Sequence, residues 1–224
     1  MDMDQTNTAK SMKKNLIQAI MNPNQIKETV LLNITKMLFN RGVIKENHID
    51  FHKSNAYNKL DQNDETSFEL DDDESNILGS KTVYIKFIDR KITTIRKVID
   101  IETFMDLSGY KFVIVTNIAP KAVKQIVEYK NTELFYVSDL LINLIESILI
   151  PKHYQLNEIE KEQFMSNYHI SKNDLKNLKR MYVDDPVSRY YKLSIDDIVR
   201  IERPSITSGI SIDYRRVVGG SIYK

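Results

Sequence analysis

The chain has 224 residues, 42% of them apolar, enough for one large core or two small ones, and 32 basic against 31 acidic residues give a formal net charge of +1. That balance excludes attachment to nucleic acid or an anionic membrane by a global field, so any DNA contact must be local. The absence of cysteine excludes a disulfide framework and thiolate metal sites, and it fits an intracellular protein.

The opening stretch MDMDQTNTAKSMKK places acids before its lysines with no apolar run after them, so no secretory signal is expected. From Asn24 as a cap, Ile26, Val30, Ile34 and Met37 recur at helical spacing, and Gly42 is a stop signal, which predicts an amphipathic helix over 25–41. Between Lys45 and Ser80 apolar periodicity fails, and residues 61–76 carry eight acids and no base, which reads as a mobile acidic loop. His48 and His52 stand at i, i+4 spacing, but in polar surroundings without a partner pair they read as two solvated side chains, and no metal is expected.

TVYIKFI (82–88) alternates Val83, Ile85 and Phe87 with more polar neighbours, the pattern of a half-buried strand. ITTIRKVIDIETFMDL (92–107) groups Ile95, Val98, Ile99 and Ile101 as a helix broken by Ser108-Gly109, and KFVIVT (111–116) reads as a strand covered on both faces. That order predicts a βαβ unit. PKAVKQIVEY (120–129) opens a further helix with Pro120 at its first position, while 133–147 stays open between helix and strand. The apolar run 140–150 contains Glu146 and is too short to span a bilayer.

Ile150-Pro151 is the expected domain boundary. Beyond it Asn157 with Glu160 predicts a capped helix to Met165, and Ser171 with Asp174 a second. Asp185 caps and Pro186 opens a short helix, with Asp184 adding favourable charge at its start. A turn over 194–197 leads to a strand over 198–203 ended by Pro204, and after the SITSG loop Ile210, Ile212 and Tyr214 give a second strand one apolar face.

This end of the chain contains IPKH (150–153) with Leu156, Glu160-Lys161, Tyr168, DPV with Arg189-Tyr190 and Leu193, then Val199, Ile201, RPS (203–205), Thr207, Gly209, Tyr214, Arg215 and Val217. In that order these residues resemble a known family, the fifth subunit shared by the nuclear RNA polymerases of eukaryotes, whose C-terminal domain has a small free-standing counterpart in the archaeal polymerase. Upstream, Arg41-Gly42 is similar to the family's RG pair, ELF (133–135) with Asn143 to its bridge into the PKH motif, and IAPKA (118–122) falls where the family has a Thr-Pro-Ser-Ala loop. The resemblance therefore covers nearly the whole chain.

It implies a fold of mixed α+β and α/β class in two domains: a mixed-sheet jaw, similar to restriction endonucleases, over 1–149, and a small α+β assembly domain over 150–224. It implies a non-catalytic subunit of a multisubunit DNA-directed RNA polymerase, docked on the largest subunit by the second domain and reaching downstream duplex DNA with the jaw. The implied partners are the largest and other polymerase subunits and DNA, with no membrane, small-molecule substrate, cofactor or catalytic residue. Abundant isoleucine, asparagine and lysine fit an AT-rich genome and point to a large DNA virus or a protist. The polymerase would then work in the virion and host cytoplasm, or in a nucleus. The acidic stretch 61–76 and the tail 219–224 have no family counterpart.

For DNA, Pro120 at the first helical position leaves the N–H groups of Lys121, Ala122 and Val123 at a helix start, where the dipole and the charges of Lys121 and Lys124 favour a phosphate. The expected DNA-binding set is Pro120, Lys121, Ala122 and Lys124, and the alternative is an ordinary cap with two solvated lysines. Ala119 in place of a capping Thr weakens that helix start by about 1 kcal/mol. The subunit interface is expected at Pro151, Lys152, His153, Asp185, Pro186, Arg189, Arg203 and Arg215. Lys192 and Asp196 replace family glycines, and a positive φ would strain Lys192 by about 1 kcal/mol.

Two other classes stay open. A nuclease would need acids and a (D/E)xK pair to hold Mg²⁺, and Asp89-Arg90-Lys91 with the acids at 71–74 fits that pattern loosely. A scaffold that binds another protein outside any polymerase is the second. Asp184-Asp185 and Asp196-Asp197 are explained by cap and turn positions.

Overall fold

The computed structural model describes residues 21–61, 63–95, 98–171 and 174–220; the opening stretch read as lacking a signal, and the last four residues of the tail, lie outside them. The chain divides into two compact units between Asn143 and Leu144.

The first unit is built on a four-stranded sheet in the order β1 (Glu65–Glu69), β2 (Thr82–Ile88), β3 (Tyr110–Val115), β4 (Thr132–Tyr136). β2, β3 and β4 run parallel, joined by α4 (Ile99–Met105) and α5 (Pro120–Val127), and β1 is the antiparallel edge. All six residues of β3 are buried, as expected for a strand covered on both faces. Val113 and Val115 pack with Ile101, Phe104, Ala122 and Ile126 from the two crossover helices. The alternate residues face the other way, where the Tyr110 hydroxyl donates to Glu133 and Glu133 pairs with Arg41 at the end of α1 (Pro23–Asn40).

Helix α1 starts two residues earlier than the periodicity suggested, because Asn22 is the cap and Pro23 takes the first helical position. Its stripe Val30, Leu31, Ile34, Met37 and Leu38 is fully buried, and Gly42 follows at φ 74°. The predicted helix over 92–107 shrinks to α4, since Ile92 runs alongside the sheet and bridges to Ile118 instead. Gly109 is dictated by close approach: a Cβ there would lie 2.6 Å from the Tyr84 ring and 2.8 Å from the Thr82 carbonyl.

The stretch read as a mobile acidic loop is ordered. It holds β1, paired residue by residue with β2, and α3 (Asp72–Leu78), while α2 (Ile49–Asn58) precedes it. Thr66, Phe68 and Leu70 alternate inward and are buried, while Glu69 and Asp71 are exposed and Glu65 pairs with Lys86, a period-2 signal that the acid count concealed. Asp71 and Glu74 form a capping box that starts α3, and Gly79 ends it at φ 72°. β2 is also more covered than its alternation implied, with Lys86 only 2% exposed. The segment left open, 133–147, divides into β4, the short α6 (Val137–Leu140) and a 3₁₀ turn at Leu144–Glu146.

The second unit is a four-stranded sheet in the order β5 (Lys152–Gln155), β7 (Ile198–Ser205), β8 (Gly209–Val218), β6 (Lys179–Tyr182), with α7 (Glu158–Asn167) and α8 (Pro186–Tyr191). Val187 of α8 packs with Met181, Leu193, Val199, Ile201 and Val217. α7 is capped by Asn157 and Glu160 as expected, while the second predicted helix is only a 3₁₀ turn at Asp174–Asn177. Pro204 does not end β7. It lies beyond Glu202, the last residue paired with β5, so its missing N–H falls on an edge that needs no donor. Lys192 closes α8 at φ 54° and Asp196 sits at φ 75°, the two left-handed positions expected from the sequence.

Candidate DNA-contacting and subunit interfaces

Helix α5 buries Ala122 and Ile126 and turns Pro120, Lys121 and Lys124 to solvent. Its entry is fixed by the sheet: the Ala119 N–H donates to Ile92 (2.8 Å), and Gln125 accepts from the Ile95 N–H and the Thr94 hydroxyl (3.0 and 3.2 Å). The helix start is less open than expected, because the N–H groups of Ala122 and Val123 both donate to the Ala119 carbonyl (2.9 and 3.1 Å). Among the described residues that leaves the Lys121 N–H as the one of the three with no partner. A phosphate here would meet one N–H, the end of the dipole and two ammonium groups. Lys91, also exposed, directly precedes Ile92.

In the second unit five of the eight residues singled out interact around His153. The His153 Nδ1 lies 2.7 Å from the Pro151 carbonyl. Burial pushes its pKa below the ordinary value; the Pro151 hydrogen bond and Asp185 oppose that shift, while Arg215 and Arg203 add to it, so the ring is neutral near pH 7. Asp185 accepts from the Val187 N–H at 2.9 Å, which accounts for its conformation as a helix cap. Lys152, Pro186 and Arg203 are exposed, and Pro151, Arg189 and Arg215 are half-buried.

The larger feature of this unit was missed. Ile148 and Leu149 are 99% and 88% exposed, and Ile206, Ile210 and Ile212 at the hairpin tip are also uncovered. A cleft of about 780 Å³ lies between the two groups, lined by Ile145, Ile150, Pro151, Arg203, Pro204 and Ile210 among others. The face of β8 read as apolar is therefore a surface and not a core wall over Ile210 and Ile212. The signal was present as the ILI triplet before Pro151 and the isoleucines flanking SITSG.

Besides Lys86, which pairs with Glu65 and Asp100, three further buried polar groups of the first unit bear on its motifs and on its charges. Arg41 holds Glu133 through both nitrogens (2.7 and 2.9 Å) with the Tyr110 hydroxyl completing the set, so the RG and ELF motifs, far apart in sequence, meet here. Burial and Glu133 raise the Tyr110 pKa far above its normal range and keep it protonated. Lys111 donates to the carbonyls of Met105 and Leu107 (2.9 and 2.8 Å), and burial lowers its pKa against Asp106. The third cluster corrects the reading of two solvated histidines: His52 is 1% exposed, and both rings bond Glu74, which is itself 1% exposed. Burial works to raise the Glu74 pKa, but hydrogen bonds from His48 and the N–H groups of Lys45 and Asp71 outweigh it and hold the carboxyl below its usual value. Burial lowers the pKa of His52 in spite of Glu74.

Among the described residues no group of metal-ligating side chains forms around the nuclease triplet, and Arg90 pairs with Asp100 at 3.3 Å instead. Asp89, Arg90 and Lys91 are exposed, and the acids at 71–74 belong to the start of α3.

Compared with known proteins, residues 142–217 match the family described as RNA polymerase Rpb5, C-terminal domain. A DNA-directed RNA polymerase subunit 5 from Acanthamoeba polyphaga mimivirus is 31% identical over 92% of this chain and 98% of its own length. The chain belongs to the RNA polymerase subunit 5 family. A relative from Dictyostelium discoideum, named as a subunit of DNA-directed RNA polymerases I, II and III, is 33% identical over 61% of this chain and 72% of its own. A subunit 5B of RNA polymerases IV and V from Arabidopsis thaliana is 30% identical over 53% of both. Membership joins the two halves of the sequence, since the mimivirus relative extends through the β1 to β4 sheet as well as the better-marked C-terminal unit. Among the described residues no helix is long and apolar enough to cross a membrane.

Proposed function

We propose that this chain is a non-catalytic subunit of a multisubunit DNA-directed RNA polymerase, with its C-terminal unit docked on the largest subunit and its N-terminal unit contacting downstream duplex DNA through backbone phosphates. The observation that carries the docking half is the uncovered apolar surface of the second unit, where Ile148, Leu149, Ile206, Ile210 and Ile212 face solvent around one cleft. Side chains of that size are left outside a fold when a partner covers them. Asp185, Arg203 and Arg215 supply charge near the neutral His153 on the same unit, as a polar rim would.

The DNA half rests on the start of α5, where Pro120 opens the helix, Ala122 anchors it and Lys121 and Lys124 reach out. Contacts of this kind position a duplex and read no sequence. In such a polymerase the chain would act inside the cell, in host cytoplasm and virion for a viral enzyme or in the nucleus for a cellular one, and the mimivirus relative favours the viral setting.

Affinity purification of the tagged chain from its native source tests this reading. One-to-one recovery with the largest polymerase subunit is expected. A folded chain recovered with other proteins and no polymerase would replace the proposal with a scaffold outside the enzyme.

A further inference from the structure

His48, His52 and Glu74 come from separate pieces of the first unit. His48 closes the 3₁₀ turn at Glu46–His48, His52 stands one helical turn later on α2, and Glu74 is the third residue of α3. Their ligand atoms lie within 4.8 Å of one another: His48 Nδ1 is 3.0 Å from Glu74 Oε1, and His52 Nε2 is 3.2 Å from Oε2. Nitrogen and oxygen ligands about 2.0–2.2 Å from a tetrahedral Zn²⁺ are roughly 3.3 Å apart, so the two contacts to Glu74 already have ligand spacing, and separations in the set of up to 4.8 Å would close around the ion.

We propose that His48, His52 and Glu74 form a Zn²⁺ site that fastens α2 to α3. The carboxylate is already aimed, because the Lys45 N–H donates to Oε1 and the Asp71 N–H to Oε2, both at 3.2 Å. Such outer partners orient metal ligands in known sites. Without a cation Glu74 Oε2 accepts from His52 Nε2 and keeps the ring proton there; an ion bound at Nε2 would shift that proton to Nδ1, which is buried with no partner to oppose or hold it. Asp71 Oδ2, 3.5 Å from His48 Nδ1 on the more exposed side, offers the fourth ligand. Two imidazoles with one or two carboxylates select Zn²⁺ over Mg²⁺, which prefers an all-oxygen octahedron. Each imidazole places its remaining proton on the nitrogen away from the metal.

The experiment uses the full chain, stripped with a chelator and titrated with Zn²⁺, Mg²⁺ and Co²⁺, with bound metal and melting temperature as readouts. One Zn²⁺ per chain and a raised melting temperature are expected, with no response to Mg²⁺ at the same concentration. His48→Asn should weaken uptake by at least the roughly 10–100-fold that loss of an outer partner alone costs, and Asp73→Asn, on the same helix but outside the cluster, should leave it unchanged. If His48→Asn fails to fold, the visible absorption of Co²⁺ on the wild-type chain still decides the matter, a tetrahedral spectrum being expected. No stoichiometric uptake, an octahedral Co²⁺ spectrum, or equal uptake by wild type and His48→Asn would overturn the proposal and leave Glu74 as a hydrogen-bond acceptor only.

Discussion

The two units of this chain differ in how much polarity they bury and in how their exposed apolar side chains are grouped. The first buries polarity: Asn33, Thr35, His52, Thr66, Glu74, Lys86, Lys111 and Asn143 are all 9% exposed or less. Among the described residues the second buries only Ser188 of that kind, and although the first unit also exposes Phe51, Ile77, Ile99, Val127 and Ile142, in the second Ile148, Leu149 and Ile210 are exposed around a single cleft. A buried charge is tolerable only with its partners built in, so the first unit carries its partners within itself. A cluster of exposed isoleucines signals a partner outside. On the proposed function, the difference separates a unit whose specificity is internal from one shaped for assembly.

The sharpest way to break the first half of this comparison is to remove one member of a buried pair. Arg41→Ala strands Glu133 beside Tyr110, and a loss of about 3–5 kcal/mol is expected in denaturant unfolding of the chain. A change under about 1 kcal/mol would mean that the pair is solvated and that the first unit is not held by internal charge.

In the second unit the corresponding strain is in the backbone. Lys192→Gly, at φ 54°, is expected to stabilise by about 1 kcal/mol, because the left-handed conformation disfavours a side chain. The same substitution at Lys121, where the backbone is helical, should destabilise instead.

The smallest effect on stability, within about 0.5 kcal/mol, is expected for Lys121→Glu and Lys124→Glu, since both side chains are exposed. Their effect should appear in DNA association by the polymerase: each lost phosphate contact lowers the slope of log affinity against log salt by about 0.9. An unchanged slope would remove α5 from the DNA path.

Much of this was legible from local signals. Asn157 with Glu160, Asp185-Pro186 and the glycine-replacing Lys192 and Asp196 act within a few residues, and the structure places each as a cap or left-handed position. What stayed hidden depends on distance. Glu74 reads as one acid in a run of acids until His48 and His52 are folded against it. Lys86 looks like the polar side of a strand until Glu65 and Asp100 neutralise it above the Phe104 ring. Ile210 and Ile212 have the alternation of a core strand, and only the position of the hairpin tip beyond the reach of β5 leaves them bare. At α5 Lys121 and Lys124 are exposed as the sequence suggests, but the reading was too generous for the backbone, because an alanine cap leaves the Ala119 carbonyl to gather two of the three N–H groups.

The most direct test of the central claim, that the second unit is shaped to be covered by polymerase, is co-purification of the double variant Ile148→Asp, Ile210→Asp beside the wild-type chain. Both side chains are exposed, so the variant should unfold within about 0.5 kcal/mol of wild type. Recovery of the largest polymerase subunit should fall at least tenfold, as expected when buried anchors worth about 2 kcal/mol or more are lost. A folded double variant that retains the polymerase at wild-type stoichiometry would contradict the claim.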